Sequence, residues 1–445
     1  MAGHLNTRIK AGTAIVDISP EQGIELAGYP HHPRHNTGVH DPLYAACIYL
    51  DNGEEKIALV SLDLLFLSKK YVKEIRDRAS ALTGIPKGNI MISCSHTHSG
   101  PWAAGRLDID ALEKRLKPDA NYISTLKDKI VSIIVDSCNN SFDAMIGIKK
   151  GYCGKEQGVG GNRRDPDGPA DPEVCVLAVK DLNGKCRACL VVYALHPTVL
   201  HEENTLVSAD YPAYIREYLA GEMPGMNLLF MQGTSGNQST RYFRSAQTFE
   251  EAERIGTQIG KEVKRVIEST GFHDNSKIFV NSTEIDIKLR TFPTLEEAWE
   301  AVCEAKERHE NLKKSGAPYI DVQNAYLKLL GAEDMLGYTK LLKEGEKIDI
   351  LDDEVPAEVQ VIGIGDVRIV CLPGEIFVEF GLDIKRRSPY KNTFVVELAN
   401  GCLPGYVYTK DALETGGYET DTSMLAPETG YVFVEKALEL LDKEA

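Results

Sequence analysis

Two histidines one residue apart follow a predicted strand. The stretch "NIMISCSHTHSGP" (89–101) is an apolar segment that runs into His96 and His98. Because strand side chains alternate with a period of two, both rings are expected on one face, if the strand geometry continues. One ring could then bind a metal while the other meets a substrate. From spacing alone, a metal site, an acid/base pair and two ordinary loop histidines all stay open.

Polar residues also follow other predicted strands. The run "RACLVVYAL" ends at His196, and "RIVCLP" runs into Gly374 and Glu375. Ligands of open α/β sheets bind outside the carboxyl ends of strands. A nitrogen/oxygen set would be formed by three residues, His96, His196 and Glu375. Such a set suits Zn²⁺ and leaves a position open for water. The joint pattern favours a catalytic metal site over a set of unrelated loop residues.

A glycine-rich turn offers hydroxyl groups. The stretch "GTSGNQST" after the strand "NLLFMQ" carries Ser235 and Ser239. It approaches the G-x-S-x-G nucleophile motif but has Asn237 in place of the last glycine, so that motif fails. Such a turn still lets a hydroxyl and backbone N–H groups come close to a reacting centre.

Two loops carry further candidates. "PHHPRHNTGVH" (30–40) holds four of the eleven histidines, and its prolines indicate a surface or pocket-rim loop in which His40 is the best candidate for a role. "GVGGNRRDPDGPADP" (158–172) is a glycine-rich loop in which Arg163 or Arg164 could anchor a carboxylate or a carbonyl. A solvated loop is the alternative for both.

The strands and helices that position these residues are indicated by alternating patterns in the sequence. "KIALVSLDLLFLS" (56–68) predicts a buried strand, 69–82 a helix and "NIMISCS" the next strand, which favours parallel pairing. Tight turns such as "DLNGK" and "GIGD" imply antiparallel hairpins too. The prediction is an α/β fold with mixed β-sheets flanked by helices.

The segment 294–345 is different. It is charged, helical in pattern and broken once at "SGAP", so it is predicted to be a helical hairpin inserted into the α/β unit, as a lid or an assembly surface. Helix starts are indicated by capping boxes at Thr248 with Glu251 and at Thr294 with Glu297. Without repeats or low-complexity linkers, 1–445 is expected to be a single domain that contains this insertion.

Composition limits the partners and the compartment. Acidic residues outnumber basic ones by 66 to 50, and a net charge of −16 disfavours nucleic acid. No apolar leader and no run of roughly 20 apolar residues is present, so stable membrane insertion is not expected and the protein is predicted to be cytoplasmic. The ten scattered cysteines, including the pair Cys186 and Cys189, are predicted to be free thiols.

Several motifs occur together in a fixed order over nearly the whole chain. They are "AGTAIVDISPEQGIELAGY", "SCSHTHSGP", "NRR", "ALHP", "SADYPAY", "GNQS", "LPGE" and "GYVYTKDALETGGYE". In these motifs the sequence resembles the neutral/alkaline, non-lysosomal ceramidases, zinc-dependent amidases that cleave N-acyl sphingosine. "HTHSGP" with the later "PGE" is the most specific combination. The resemblance implies a ceramidase-like catalytic domain.

The resemblance also implies roles for individual residues. One Zn²⁺ per chain would be held by four ligands, which are His96, His196, Glu375 and Tyr406. The substrate amide would be surrounded by four catalytic residues, which are His98, Arg163, Ser239 and Tyr418. Tyr406 is a ligand that spacing alone does not indicate.

The sequence departs from the family pattern in places. Thr240 follows the serine where the family usually has proline. Neither a signal peptide nor a further C-terminal β-domain is expected, which would make this a short form of the family.

The leading hypothesis is a cytoplasmic zinc hydrolase that cleaves a linear, non-peptide amide bond in a small soluble compound with an acyl carbonyl. The nucleophile would be a metal-activated water or Ser239, and the sequence leaves both open. Alternatives are hydrolysis of an ester or lactone and true ceramide hydrolysis. From another class, a non-catalytic metal- or ligand-binding module stays open, as does homo-oligomerisation.

Overall fold

A computed structural model of the chain describes residues 8–107, 115–343 and 353–443. Within them, a large mixed sheet of nine strands places most of the site-bearing loops. Its strands are Lys10–Asp17 (β1), Tyr44–Asp51 (β2), Lys56–Leu62 (β3), Ile90–Cys94 (β4), Phe142–Tyr152 (β5), Glu173–Asp181 (β6), Cys186–Tyr193 (β7), Asn227–Gln232 (β8) and Phe272–His273 (β9).

The strand order of this sheet is β8-β7-β6-β5-β1-β2-β3-β4, with β9 paired to β5. Its central pairs are antiparallel, whereas the outermost pairs, β3 with β4 and β7 with β8, are parallel. A second sheet has the order β10-β11-β12-β13, with the last pair parallel. Its strands are Ile278–Ile285 (β10), Ala357–Ile364 (β11), Val367–Cys371 (β12) and Asn392–Val396 (β13).

The helices cover the sheets and form the inserted segment. They are Lys69–Thr83 (α1), Ala120–Asn139 (α2), Tyr211–Glu222 (α3), Phe249–Glu268 (α4), Leu295–Ser315 (α5), Tyr319–Lys343 (α6), Val378–Arg387 (α7), Lys410–Thr415 (α8), Tyr418–Asp421 (α9) and Thr429–Leu441 (α10). The segments Lys87–Asn89 and Lys155–Gln157 are short 3₁₀ helices.

Two-residue strand pairs tie the loops at the strand ends together. They are Glu25–Leu26 with Arg34–His35, Gly38–Val39 with Leu206–Val207, Arg106–Leu107 with Arg115–Leu116, Gly161–Asn162 with Gln238–Ser239, and Glu375–Ile376 with Tyr406–Val407. The last two pairs bear directly on the candidate site.

The core follows from the alternation of side chains along the strands. In β2, Cys47 and Tyr49 pack against the helices α1 to α4, whereas Ile48 and Leu50 point to the other face and pack against the second sheet. The far face of the second sheet is covered by α7 and α10. Because both faces of the large sheet are buried, its strands read as nearly continuous apolar runs. The predicted mixed α/β architecture is confirmed.

Local signals explain the helix ends. α1 ends at Gly84, whose φ of 73° is the left-handed conformation that glycine favours. The capping box at Thr294 and Glu297 is complete, with both reciprocal hydrogen bonds formed. At α4 only half of the predicted box forms: Thr248 accepts from the backbone N–H of Glu251, whose own carboxylate accepts from Ser245 instead.

The segment predicted as a helical hairpin contains α5 and α6, with Gly316 in the left-handed conformation between them. Ala305 of α5 packs against Leu329 and Ala332 of α6. Residues 344 and 345 of the predicted segment lie outside the described residues. Among the described helices, none combines the length and hydropathy needed to cross a bilayer.

All ten cysteines lie within the described residues and are free. The prediction of free thiols is therefore confirmed for the molecule as described.

Candidate active site

His96 and His98 meet at the end of β4, but not through strand geometry. The strand stops at Cys94, and His96 has a φ of 69°, a left-handed conformation that a non-glycine residue rarely adopts. The Nε2 atoms of the two rings lie 3.4 Å apart. The two rings lie close together, as expected. The condition of that expectation, that the strand geometry continues, is not met, because the strand ends before His96 and a turn at His96 brings the rings together.

Three further contacts converge on the same point. The Nε2 atoms of His96 and His196 are 3.1 Å apart. The Oε2 atom of Glu375 lies 3.2 Å from the first and 3.1 Å from the second. The ligand atoms of His96, His98 and His196 all fall within 4.8 Å of one another, a grouping that could hold a metal ion. Residues from three distant parts of the chain thus direct donor atoms at one centre.

The outer nitrogens show which rings are oriented as ligands. Nδ1 of His96 faces the carbonyl of Leu65 at 3.2 Å, and Nδ1 of His196 faces the carbonyl of Ser235 at 2.7 Å. A ring that donates from Nδ1 to a carbonyl presents its Nε2 lone pair, which is the usual arrangement of metal-bound histidine. Nδ1 of His98 is buried and has no hydrogen-bond partner among the described residues. The rings of His96 and His196 and the Glu375 carboxylate can therefore serve as ligands of a divalent metal ion. His98 differs because no carbonyl within the described ranges orients its ring.

Burial and nearby charges set the protonation of the groups in this cluster. Burial, followed by the Arg163 guanidinium, lowers the pKa of His196 to about 3, so its imidazole is neutral at physiological pH. Burial alone would raise the pKa of Glu375, but His96 and His196 outweigh it and hold that pKa well below its usual range. Burial and the two neighbouring imidazoles also lower the pKa of His98 well below its ordinary value. A neutral imidazole can accept a proton.

Tyr406 lies beside the cluster because Glu375–Ile376 and Tyr406–Val407 form a parallel pair with Glu375 opposite Tyr406. The Tyr406 and His196 rings are 6.5 Å apart and nearly parallel. Burial and the Glu375 carboxylate raise the pKa of Tyr406 well above 10, so its phenol is protonated at neutral pH in this state. The structure brings Tyr406 next to the other three predicted ligands.

Arg163 and Tyr418 flank Tyr406. The guanidinium carbon of Arg163 lies 5.3 Å from the Tyr406 ring centre, and the Tyr418 ring lies 6.1 Å from the Tyr406 ring. Arg163 donates to Glu419 and to the carbonyl of Gly236, both at 2.8 Å. Burial would lower the pKa of Arg163, but Tyr406 and Glu419 outweigh it, and the group stays charged.

Ser239 reaches the cavity through the pair formed by Gly161–Asn162 and Gln238–Ser239, in which Ser239 lies opposite Gly161. Its Oγ accepts from the backbone N–H of Arg241 at 3.2 Å. Ser235, the other hydroxyl of this turn, is fully buried behind His196, and its Oγ donates to Glu397 at 2.5 Å. Ser239 is therefore the serine that faces the cavity.

Two buried carboxylates support the site and were missed from the sequence. Glu397 holds Ser235 and the backbone N–H of Ile376, next to Glu375. Glu419 pairs with Arg163, and also with Arg164 at 2.8 Å. In the sequence, only their positions could have indicated a role. Glu397 directly follows β13, and Glu419 directly follows Tyr418.

The loop 30–40 contributes histidines to the cavity, but not the one that was expected. His40, the favoured candidate of the 30–40 loop, stacks on Phe249 with ring centres 3.6 Å apart and pairs with Asp41, so it does not line the cavity. His31 and His32 line the cavity instead. His32 contacts the Tyr326 hydroxyl of α6 at 2.9 Å, which anchors the inserted segment to the loop.

A cavity of about 700 Å³ opens beside the cluster, lined by the four predicted catalytic residues, which are His98, Arg163, Ser239 and Tyr418, and by Tyr406. This volume is in the range typical of small-molecule sites. Residues of α6, among them Leu327 and Leu330, form one wall. A second cavity of about 210 Å³ is lined by His96, His98, Glu375, Tyr406 and Tyr418 together with mainly apolar neighbours.

No family model matches the sequence. Over an alignment of 493 positions, the chain is 21% identical to a neutral ceramidase of Pseudomonas aeruginosa, covering 97% of this chain and 72% of that protein. It is 23% identical over 218 positions to neutral ceramidase B of Dictyostelium discoideum, covering 46% of this chain and 30% of that one.

Solved structures show the same likeness in fold. The crystal structure of the neutral ceramidase from Pseudomonas aeruginosa matches with a TM-score of 0.74 at 17% identity, over 98% of this chain and 74% of that one. A ceramidase complexed with C2 matches with a TM-score of 0.72 at 15% identity, over 98% of this chain and 75% of that one. The predicted ceramidase-like fold is confirmed.

Proposed function

We propose that this chain, which belongs to the neutral ceramidase family by its sequence and fold, is a zinc-dependent hydrolase that cleaves the amide bond of a small N-acyl substrate. The observation that carries the proposal is the convergence of the His96 and His196 Nε2 atoms with Glu375 Oε2. His96 and Glu375 line the smaller cavity, which shares His98, Tyr406 and Tyr418 with the substrate-sized larger one. A hydrolase of non-peptide C–N bonds is what the family membership supports.

The donor set suits zinc, and we assign His96, His196, Glu375 and Tyr406 as the residues that would hold it. A bound zinc ion would supply Lewis-acid polarisation of the acyl carbonyl and would acidify the O–H of the attacking group. The hydrogen bonds from Nδ1 of the two histidines to backbone carbonyls hold their rings in the donor orientation before any metal binds.

His98 is assigned as the group that moves protons. Its imidazole is neutral, only partly buried and lines both cavities, and its Nδ1 has no hydrogen-bond partner in the described part of the chain. It can accept the proton of the nucleophile and pass it to the leaving amine, as general acid–base catalysis requires. Ser239 lines the same cavity, and the attacking group is either its hydroxyl or a water that it positions.

Arg163 and Tyr418 are assigned as hydrogen-bond donors to the oxygen that gains charge in the transition state. Burial and the nearby Asp334 carboxylate raise the pKa of Tyr418 above its ordinary value of 10, so its phenol keeps its proton. Arg163 is held by Glu419 and the Gly236 carbonyl, so it is placed without rearrangement. Pre-placed donors of this kind lower the barrier most in a site that excludes water.

The similarity to neutral ceramidases over 97% of the chain favours ceramide as a second candidate substrate. We favour a smaller, water-soluble N-acyl compound because the cavity is walled by α6 and because the net charge of −16 opposes approach to an anionic lipid surface. A cytoplasmic location would suit such a substrate and stays a prediction.

The test is a panel of short N-acyl amides, the corresponding esters and lactones, and ceramide, run with the wild type, His96→Ala and Ser239→Ala. We expect amide hydrolysis that His96→Ala abolishes. Loss in Ser239→Ala would identify the hydroxyl as the nucleophile, and partial activity would indicate water. His273→Ala, at an exposed histidine, is the matched control. Equal turnover of an amide by wild type and His96→Ala would contradict the proposal, as would hydrolysis of esters without any amide.

A further inference from the structure

A helical turn directly after Ser239 carries two arginines into the larger cavity. The backbone N–H groups of Phe243 and Arg244 both donate to the carbonyl of Thr240 at 2.8 Å. Because residues three apart lie on one face of such a turn, Arg241 and Arg244 are neighbours, and both line the cavity. Ser239 and this cationic turn therefore belong to one continuous segment.

Neither guanidinium has a carboxylate partner among the described residues. The side chain of Arg241 donates to Asn324 of α6 at 3.5 Å, and that of Arg244 donates to the Thr198 carbonyl and, at 3.5 Å, to Thr240. Arg163 in the same cavity differs, since Glu419 neutralises it. Glu419 near Arg241, and Asp210 and Glu251 near Arg244, act on these charges only from outside ion-pair distance. Two half-buried arginines with no ion-pair partner in the described part of the chain are notable when the net charge is −16.

The surroundings keep this region cationic. Burial and the nearby Arg163 lower the pKa of Arg241, yet a guanidinium stays charged in proteins. Burial, then Arg244 and Arg241, lower the pKa of His201 to about 3. Glu202 is the one carboxylate among the described residues that line this cavity, and it contacts Nδ1 of His201.

The arginine turn lies close to the reacting groups. The Ser239 hydroxyl oxygen accepts from the backbone N–H of Arg241 at 3.2 Å, so the turn begins directly beside Ser239. Ser239 and both arginines line the same cavity, so a substrate whose amide lies at Ser239 can carry an anionic group toward them.

The second cavity has no arginine among its described lining residues. It lies against His96 and Glu375 and is lined mainly by apolar side chains, including Leu65, Trp102 and Met424. His98, Tyr406 and Tyr418 line both cavities, so the two meet at the candidate reaction centre. An apolar acyl chain fits the smaller cavity, which directs the amine side of the substrate toward the arginines.

We propose that Arg241 and Arg244 form an anion subsite, and that the substrate is an N-acylated amine with a carboxylate on its amine side, as in an N-acyl amino acid. This inference rests on the proposed function, which it makes more specific. Two guanidinium groups can bind a carboxylate through charge-assisted hydrogen bonds. The carboxylate would then fix the amide against His98 and Ser239.

The experiment compares hydrolysis of N-hexanoylglycine with that of its neutral counterpart N-hexanoylglycinamide. We expect the wild type to favour the anion in kcat/KM by at least about tenfold, since each charge-assisted hydrogen bond is worth about that factor. The double variant Arg241→Gln/Arg244→Gln should bring the ratio close to one, and Arg241→Lys/Arg244→Lys should keep part of it. Arg308→Gln, an exposed arginine of α5, is the control and should leave the ratio unchanged.

A binding measurement separates this inference from the proposed function. The ligand is the ketone isostere of N-hexanoylglycine, with a methylene group in place of the amide nitrogen, and its neutral primary amide is the comparison. Tighter binding of the anion by the wild type, lost in the glutamine variant, would support the subsite even if no amide were hydrolysed. Equal binding of both ligands, or an unchanged ratio in a folded glutamine variant, would overturn it. So would a preference for a carboxylate on the acyl side, tested with N-butylsuccinamate.

Discussion

Gly28→Ala should separate the role of His98 from that of the metal ligands. Gly28 has a φ of 101°, and a Cβ atom there would lie 2.5 Å from both Cγ and Nδ1 of His98. Carbon atoms pack at about 3.5–4.0 Å, so the imidazole must move by about 1 Å. The glycine is needed because its backbone touches the ring.

The expected effect on catalysis follows from that displacement. Misplacing a catalytic group by about 1 Å can lower the rate about 100-fold, which corresponds to roughly 2.7 kcal/mol in the barrier. The left-handed backbone adds a cost of about 1–2 kcal/mol to folding when alanine replaces glycine. The three atoms nearest to the added Cβ all belong to His98 and none to a proposed metal ligand, so the variant should retain its metal.

The assay measures kcat/KM on the best amide of the panel together with metal content by elemental analysis. Gly23→Ala is the matched control, because Gly23 has a φ of 92° and its added Cβ would meet no atom of the described residues within 4 Å. It should share the folding cost and keep the activity. Wild-type kcat/KM in Gly28→Ala would refute the role of His98, and loss of the metal would show that His98 is a ligand.

Three further outcomes are expected. Glu419→Ala leaves the buried Arg163 without its partner and removes the partner of Arg164, so the free energy of unfolding in urea should fall by about 3–5 kcal/mol, and an unchanged value would contradict the pairing. Burial raises the pKa of Asp210 from 3.8 to about 7, so the native state holds a proton that the unfolded chain has released. Stability should therefore fall as pH rises from about 4 to about 7, and Asp210→Asn should remove that part of the slope in denaturation at stepped pH. In thiol titration, native protein should react fastest at the exposed Cys303 and unfolded protein at all ten cysteines, whereas fewer than ten would reveal a disulfide.

Elements with strong local signals were predictable from the sequence. The strand, helix and strand at β3, α1 and β4 formed as predicted because apolar runs and the stop at Gly84 agree. The break between α5 and α6 falls at Gly316, within the "SGAP" stretch. These features depend on residues close together in the chain.

The cluster was predictable in part because His96, His196 and Glu375 each follow a predicted strand, and ligands of α/β sheets bind at strand ends. The three residues do meet. They do not meet through parallel neighbours, since β4 and β7 run in opposite directions in the large sheet and β12 belongs to the second sheet. The turn that joins His96 to His98 was not predictable, since a φ of 69° at a histidine is held by tertiary contacts and has no sequence signal.

The buried carboxylates that hold the site residues in place could not be predicted from the spacing of residues in the sequence. Glu397 meets Ser235, and Glu419 meets Arg163, across 162 and 256 residues of chain. Arg241 and Arg244 read as ordinary loop arginines until the fold shows that no carboxylate among the described residues pairs with them. Buried charges and unpaired charges are properties of the packed molecule, which one sequence does not display.

The most direct test of the central claim is amide hydrolysis before chelation, after removal of metal, and after zinc is restored. The arrangement of His96, His196 and Glu375 predicts about one metal per chain, loss of hydrolysis with the metal, and recovery when about one equivalent of zinc is added. Full amide hydrolysis by metal-free protein would contradict the account.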